Sequence, residues 1–311
     1  MIAHLKGRER ALEAFGWTGA KAEWIALVSL HSGVFTRAQV SDWLGVHPRT
    51  ARRFVRAMLD RRLAARDAAG GLNVCRICAR GVYRALGAED IRHRRTASTE
   101  VLLRRLLSLD YVIEHPGLDW LPTEPEKVAA FEALGIKRRV LPVRVYRGAA
   151  GNTRRHFPVK LPVALDARRA VFVYADPGHG TSTALRSWGR AHHALWEALR
   201  GRGRPVEAVA VVRTVKEFER CRTILGNWTR AADAPGPSGA RESGDAARRE
   251  IARIEHAIRD ADDTVVAEHG GLRGCLVRIV ELKDRLRAAR PGARIDRFEV
   301  WRSKRLSGGV S

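Results

Sequence analysis

The chain has 311 residues, of which 45% are hydrophobic, so it is long enough to bury more than one core. Lysine and arginine number 57 against 34 acidic residues, and the resulting net charge of +23 favours a polyanionic partner. No apolar run approaches the roughly 20 residues that cross a bilayer, and the 4 cysteines suit a reducing compartment. We therefore predict a cytoplasmic protein with no membrane partner.

The first predicted elements are two helices. Residues 21–34 place Trp24 and Val28 on one side at helical spacing, which indicates a helix that faces a core. Thr36 is a suitable N-cap for a second, shorter helix, and Gly45 can close that helix in a left-handed conformation.

A third helix is predicted to begin at His47-Pro48, because proline suits the first turn of a helix. Two short extended stretches around Gly70-Gly71 then predict a hairpin. The order of three helices and a hairpin is typical of a winged helix-turn-helix, in which one helix enters the major groove of DNA. The alternative is a winged helix that contacts protein.

The third helix and the residues just after it are rich in arginine and contain one acid, Asp60. Arginine pairs bidentately with guanine and also clamps phosphates, so this segment is the predicted DNA interface. The expected contacts are Arg37, Arg49, Thr50, Arg52, Arg53, Arg56, Arg61, Arg62, Arg66 and Arg76.

The middle of the chain mixes strands and helices. A helix is predicted at 98–114, followed by extended segments at about 139–147, 155–165 and 170–176, a helix at about 182–199, a strand at 206–214 and a helix from 215 to about 225. The strand at 170–176, the helix at about 182–199 and the strand at 206–214 are expected to form a unit with two parallel strands and a right-handed connection.

Two short motifs are candidate sites for a metal ion or a phosphate-containing ligand. Cys75 and Cys78 form a CxxC, but no second half of a zinc site follows at suitable spacing, so packing is preferred. The loop 176–183 lies where phosphate-binding loops occur, but it lacks the lysine and the spacing of a P-loop. We therefore predict no cofactor.

The last part of the chain predicts a linker and a pair of helices. Residues 229–247 are poor in large apolar groups, which indicates a flexible linker. Apolar stripes at 251–265 and 272–286, separated by the glycines at 270–271, predict an antiparallel helical pair. We expect a homodimer through residues 248–290 and a solvent-exposed basic tail after them.

Residues 98–214 run in the order helix, three strands, helix, strand, and in this they resemble the PD-(D/E)XK nuclease superfamily. The resemblance implies carboxylates that hold magnesium and position a water molecule. Asp166 and Asp176 stand at matching places, with Glu100 as a third carboxylate, whereas Gly178 replaces the lysine. The resemblance therefore implies a nuclease-like scaffold that does not cleave DNA. The alternative is an active, magnesium-dependent DNA nuclease.

The domain order and the segment VFVYADPGHGTSTALRSW also resemble the replication-relaxation family of plasmids and integrative elements, over residues 20–226. This resemblance implies a double-stranded DNA-binding protein that serves replication, transfer or regulation of a mobile element. The remaining alternative is an interaction module that recruits a replication or transfer protein to DNA.

Together these patterns predict a multidomain α+β or α/β protein. Its predicted parts are a winged helix-turn-helix DNA-binding domain at 1–95, a degenerate αβββαβ nuclease-like domain at 96–228, a flexible linker at 229–247, and a helical hairpin with a basic tail at 248–311.

Overall fold

The computed structural model describes residues 3–148, 151–159, 161–178, 182–233, 238–260, 262–288 and 293–306. Within these residues the chain is mixed α+β, with helices and several small sheets. It divides into two compact units, one made of Met1–Thr229 with Ala293–Ser311 and the other of Arg230–Gly292. None of the described helices is long and apolar enough to cross a membrane.

The amino-terminal part of the larger unit contains the three predicted helices and the predicted hairpin. In chain order its elements are α1 (Gly19–His31), β1 (Val34–Phe35), α2 (Arg37–Leu44), α3 (Pro48–Asp60), β2 (Ala64–Ala69), β3 (Leu72–Ile77) and α4 (Arg80–Ala85). The three strands form an antiparallel sheet in the order β1-β3-β2.

Local capping explains where α2 and α3 begin and end. Thr36 and Gln39 form a reciprocal capping box at the start of α2, and Gly45 closes that helix at φ 59°. Pro48 occupies the first turn of α3, where His47 Nδ1 accepts a hydrogen bond from the Arg49 amide at 3.2 Å. These signals are all local, so the sequence alone could place them.

The first helix differs from its prediction. Every residue of α1 from Trp24 to His31 is buried, so it lies inside the unit rather than at its surface. His31 Nε2 lies 3.2 Å from His4 Nε2, and burial lowers the pKa of His4 to about 4. The pair is therefore neutral near neutral pH and suits an apolar interior.

The helix α5 (Thr99–Glu114) joins the two predicted domains 1–95 and 96–228. Its buried residues include leucines that occupy more than one face of the helix. It packs against β1 and β2 as well as against β7 (Ala170–Ala175). Because one helix serves both cores, residues predicted as two domains form one compact unit.

The remaining elements of the larger unit build two further sheets. They are α6 (Glu124–Ala133), β4 (Val143–Gly148), β5 (Gly151–His156), β6 (Val163–Leu165), β7, α7 (Ser182–Arg200), β8 (Val206–Val212), α8 (Val215–Asp233) and β9 (Arg297–Arg302). Among the described residues, β4 and β5 pair only with each other, while β6-β7-β8-β9 form a sheet in that order. The β6–β7 pair is antiparallel, and β7, β8 and β9 are parallel.

The predicted strand at 155–165 is in fact two strands in two sheets. Its first residues belong to β5 and its last to β6. Phe157, at φ 48°, and the prolines 158 and 162 separate them, because proline cannot donate to a strand ladder. The predicted order of three strands is therefore wrong in detail.

The carboxyl-terminal residues are not the exposed tail that the composition predicted. Strand β9 pairs in parallel with β8, so residues 293–306 return to the larger unit. The apolar side chain of Ile295 and that of Leu306 are both fully buried there. The reason is that β8 has an open edge, and β9 supplies its missing hydrogen-bond partners.

The smaller unit contains the predicted helical pair. It includes α9 (Ser238–Asp260), α10 (Asp263–Glu268) and α11 (Leu272–Ala288), and its core consists of Ile251, Ile254, Cys275, Ile279 and Leu282.

Two predictions for this part of the chain need correction. The segment 229–247 is helical in α8 and α9 except for residues 234–237, which lie outside the described residues. Its alanine, arginine and glutamate residues favour a helix despite their lack of large apolar groups. Leu272 and Leu276, predicted to face the pair, are more than half exposed.

One buried carboxylate connects distant parts of the larger unit. Asp110 on α5 is fully buried, and its Oδ1 accepts hydrogen bonds from Gln39 and Arg305, each at 3.1 Å. Its Oδ2 accepts from the Ser303 hydroxyl at 2.5 Å. Arg305 also pairs with Asp42 and Glu114. Residues after β9 thereby hold α2 against α5.

Replacing Arg305 by glutamine is expected to lower the free energy of unfolding by about 3 kcal/mol, because Asp110 would lose its buried cation. Burial already raises the pKa of Asp110, and loss of the cation raises it further, so the folded variant binds a proton more readily than the unfolded chain. The loss of stability is therefore larger at about pH 8 than at about pH 5. Urea denaturation at both pH values measures it.

The matched control is Arg302→Gln, which removes an exposed arginine from β9. We expect this control to have the same urea midpoint as the wild type. Equal urea midpoints for the two variants would contradict the role given to Arg305.

Candidate nucleic-acid interface

A stripe of arginines runs along the exposed side of α3. Packing fixes this orientation, because the opposite side of the helix is buried through Ala51, Phe54, Val55 and Met58. The stripe follows the helical spacing i, i+3, i+4 and i+7. It consists of Arg49, Arg52, Arg53 and Arg56, all of which are exposed.

These side chains have few carboxylate partners. Arg56 lies 3.7 Å from Asp60, and both side chains are largely exposed, so the pair is weak. Within the described part of the chain, no carboxylate lies within ion-pair distance of Arg49, Arg52 or Arg53. The stripe is therefore a concentrated positive charge that faces solvent.

Most of the other predicted contacts are also at the surface. Arg37, in the first turn of α2, and Arg66 on β2 are exposed. Arg61 and Arg62 are exposed in the turn after α3, where the Arg61 guanidinium lies 4.8 Å from the centre of the Trp17 ring. Thr50 is half-buried in the first turn of α3.

Arg76 is the exception, because its side chain is paired inside the protein and does not face solvent. Its side chain is only 11% exposed and donates to Asp67 Oδ2 at 2.6 Å. It also donates to the Arg94 carbonyl at 2.6 Å. Asp67 lies on the neighbouring strand, diagonal to Arg76, so the pairing became visible only with the register of the hairpin.

One side of the tip of the β2–β3 hairpin packs against α5, although Gly70 and Gly71 themselves are exposed. Ala69 is buried, and a Cβ atom on Gly70 would lie 3.2 Å from Leu103 Cδ1 of α5. Gly70 and Gly71 both have positive φ, as a tight turn requires. Of the predicted contacts on this hairpin, Arg66 is therefore the one that faces solvent.

Two of the three carboxylates of the nuclease hypothesis, Asp166 and Asp176, lie at opposite ends of β7. Asp166 lies in the turn before β7, where it accepts from the amides of Arg168 and Arg169. Asp176 follows the other end of β7, so six strand residues separate the two acids, which is about 20 Å. Glu100 pairs with Arg104 on α5. A shared magnesium site for Asp166 and Asp176 is thus excluded by this geometry.

Asp176 instead has local partners. It is 1% exposed, its Oδ2 accepts from Arg220 Nη2 at 2.6 Å, and its Oδ1 accepts from the Gly178 amide at 3.1 Å. Gly178 has φ 94°, and a Cβ there would lie 2.9 Å from Glu217 Oε1. Close approach and backbone conformation therefore explain why residue 178 is a glycine.

The two cysteines of the CxxC motif are not arranged to bind a metal ion together. Cys75 is buried on β3, whereas Cys78 lies beyond the end of that strand and is half-buried. Burial raises the pKa of the Cys75 thiol, which disfavours the thiolate that binds metal. Among the described residues, no group of three or more His, Cys, Asp or Glu side chains is placed to hold a metal ion. The loop 176–183 lies partly outside the described residues.

Sequence reasoning missed a second basic surface, on the β4–β5 hairpin. The prediction of 139–147 covers most of β4, but most of β5 lies before the predicted segment 155–165, and the exposure of both strands was not predicted. Residues 143–147 and 151–154 are all exposed. The arginines of this hairpin are Arg144, Arg147, Arg154 and Arg155. The signal in the sequence that could have predicted this surface is an arginine-rich stretch with no acidic residue between positions 143 and 156.

Comparison of the chain with protein-family models, with curated proteins and with solved structures gives no match. What this interface binds therefore has to follow from its shape and charge.

Replacing Asp176 by asparagine is expected to destabilise the fold by roughly 1–3 kcal/mol, because the buried partner of Arg220 loses its charge. Millimolar magnesium is expected to leave the thermal midpoint of the wild type unchanged, since the two acids cannot share an ion. Thermal unfolding with and without magnesium measures both effects. A midpoint that rises with magnesium in the wild type but not in the variant would restore the metal site.

Proposed function

We propose that this protein binds double-stranded DNA in a sequence-specific manner, with α3 in the major groove. The observation that carries this proposal is the exposed stripe of arginines on α3, opposite an apolar face that anchors the helix. The order of α1, α2, α3 and the β2–β3 hairpin is that of a winged helix-turn-helix, in which this helix reads bases.

The positions along α3 suggest separate roles for its side chains. Arg49 and Thr50 lie in the first turn, and the first turns of recognition helices contact base edges. Arg52 and Arg53 follow one turn later, where a guanidinium can pair bidentately with guanine. Arg56 and the arginines after the helix are placed to contact phosphates and to fix the register.

We further propose a non-catalytic role, as a regulator or as a replication or transfer accessory factor of a mobile genetic element. The separation of Asp166 from Asp176 supports binding without cleavage. The resemblance of residues 20–226 to the replication-relaxation family supports the link to a mobile element. DNA fragments selected from the host genome by the purified protein would identify the process.

Replacing Arg52 and Arg53 together by glutamine is expected to weaken specific binding by about a hundredfold, since each bidentate contact contributes roughly 1–3 kcal/mol. The measurement is a gel shift on a site recovered by selection from random duplex DNA. Glutamine keeps the helix propensity and removes two charges, so the fold should be unchanged.

The charge-matched control is Arg249→Gln with Arg259→Gln, two exposed arginines of α9. This control is expected to retain specific affinity. If both double variants bind the selected site equally well, α3 is not the reading helix.

We propose that the protein forms a homodimer through α11. Leu272, Leu276, Val277 and Val280 are each more than half exposed, whereas Cys275, Ile279 and Leu282 fill the core of the smaller unit. The spacing of the exposed residues places them along one side of the helix. A second copy of the chain fits this side, because a two-fold dimer would present two α3 helices to a palindromic site.

Replacing Leu276 and Val280 by glutamate is expected to give a monomer, because two charges would be buried at the dimer contact. Size-exclusion chromatography with light scattering measures the mass. The control is Ala252→Glu with Arg259→Glu, on the exposed side of α9. If the wild type is monomeric at micromolar concentration, the dimer proposal is wrong. The gel shift tests DNA binding independently of this result.

A further inference from the structure

The β4–β5 hairpin is a two-stranded ribbon with neither face covered. Successive residues of a strand point to opposite faces, and the side chains at 143–147 and 151–154 are all exposed. Its strands pair with no other strand among the described residues. An isolated hairpin is only marginally stable in water, so this ribbon depends on its attachment to the larger unit.

The base of the hairpin is firmly attached. The His156 amide donates to Glu124 Oε1 at 2.7 Å, and the Phe157 amide donates to the Pro142 carbonyl at 2.8 Å. The Phe157 ring is buried and stacks on Phe131, with 5.7 Å between the ring centres. The ribbon therefore starts from a fixed base and presents residues 143–147 and 151–154 to solvent.

When no ligand is bound, the positive charges on the ribbon repel one another. Arg144 lies directly opposite Arg155, and like charges at opposed positions destabilise a hairpin. Arg155 is 3.7 Å from Glu124, and the Arg144 guanidinium lies 5.3 Å from the centre of the Tyr146 ring. On the opposite face Arg154 stands across from Val145. A bound polyanion would remove this repulsion.

We infer that the β4–β5 hairpin is a second DNA-binding element, which contacts the phosphate backbone of the duplex that α3 reads. Two-stranded ribbons contact DNA in other folds, and arginine side chains are common donors to phosphate oxygens. Exposed Val143, Val145 and Tyr146, each more than two-fifths exposed, can pack against sugars beside the phosphates. This inference rests on the proposed function, because it assigns a second surface to the same ligand.

The test measures affinity against salt concentration, with a fluorescent mixed-sequence duplex of about 40 base pairs, long enough to reach beyond the site of one helix. The variant is Arg144→Gln with Arg147→Gln and Arg154→Gln. Each phosphate contact contributes about 0.9 to the slope of log affinity against log salt. We expect the slope to fall by about 2 to 3, and affinity at low salt to fall more than tenfold.

The control removes the same charge from the smaller unit, through Arg249→Gln, Arg253→Gln and Arg259→Gln, three exposed arginines of α9. It is expected to keep the wild-type slope. Circular dichroism and thermal midpoints check that each variant folds, and the substituted arginines of the hairpin are exposed. A hairpin variant with the slope of the control would overturn the inference.

The α3 variant Arg52→Gln with Arg53→Gln separates this inference from the proposed function. If that variant loses its preference for a selected site while the hairpin variant matches the control, the hairpin inference fails alone. If the hairpin variant weakens binding and the α3 variant keeps full sequence preference, the assignment of α3 fails alone. A wild type that binds no duplex DNA overturns both.

A direct readout uses a photocrosslinking benzoylphenylalanine at Thr153, which is exposed on the ribbon. Crosslinks to the duplex are expected from this position, and none are expected from the same group at exposed Thr223 on α8. Equal crosslinking from both positions would contradict a specific contact by the hairpin.

Discussion

The carboxylate of Asp110 holds together three parts of the larger unit that are distant in sequence. Gln39, which donates one of its hydrogen bonds, is also part of the capping box that begins α2. Arg305 and Ser303, which donate the others, follow the last strand of the sheet. The position of α2, which packs against α3, is therefore stabilised by a charge buried between the helices and the sheet. A surface ion pair would not provide such a restraint, since exposed pairs contribute little.

The same helix that carries Asp110 explains why the protein has one large core where the composition suggested two. Leucines on several faces of α5 pack against the antiparallel sheet on one side and against the parallel strands on the other. This arrangement also brings Leu103 of α5 close to Gly70 at the tip of the β2–β3 hairpin. Most of the exposed arginines in the amino-terminal part of this unit therefore lie on α3 and in the turn after it, and a second exposed group lies on the β4–β5 ribbon.

Local signals in the sequence predicted much of the amino-terminal fold, because they depend on neighbouring residues. The capping residue Thr36, the closing residue Gly45 and the glycine pair at 70–71 all function as predicted. The helix α6 was missed, although Thr123 and Glu126 form the same kind of capping box. Long-range pairings could not be predicted. Periodicity identified the arginine stripe, but it gave no information on the partners of Arg76, Asp176 or Arg305, which come from other strands and helices. The ligand of the stripe stays a prediction.

Strand β9 has a consequence for the order in which the molecule is made. The smaller unit, residues 230–292, interrupts the larger one in sequence, and β9 joins the sheet only after it. A chain emerging from the ribosome would hold β8 with an open edge and Asp110 without its cation until residues 293–306 have been synthesised. Pairings this far apart in sequence form late and slowly. Nascent chains are thus exposed to edge-to-edge association during that interval, and the helices of the inserted unit have time to fold first.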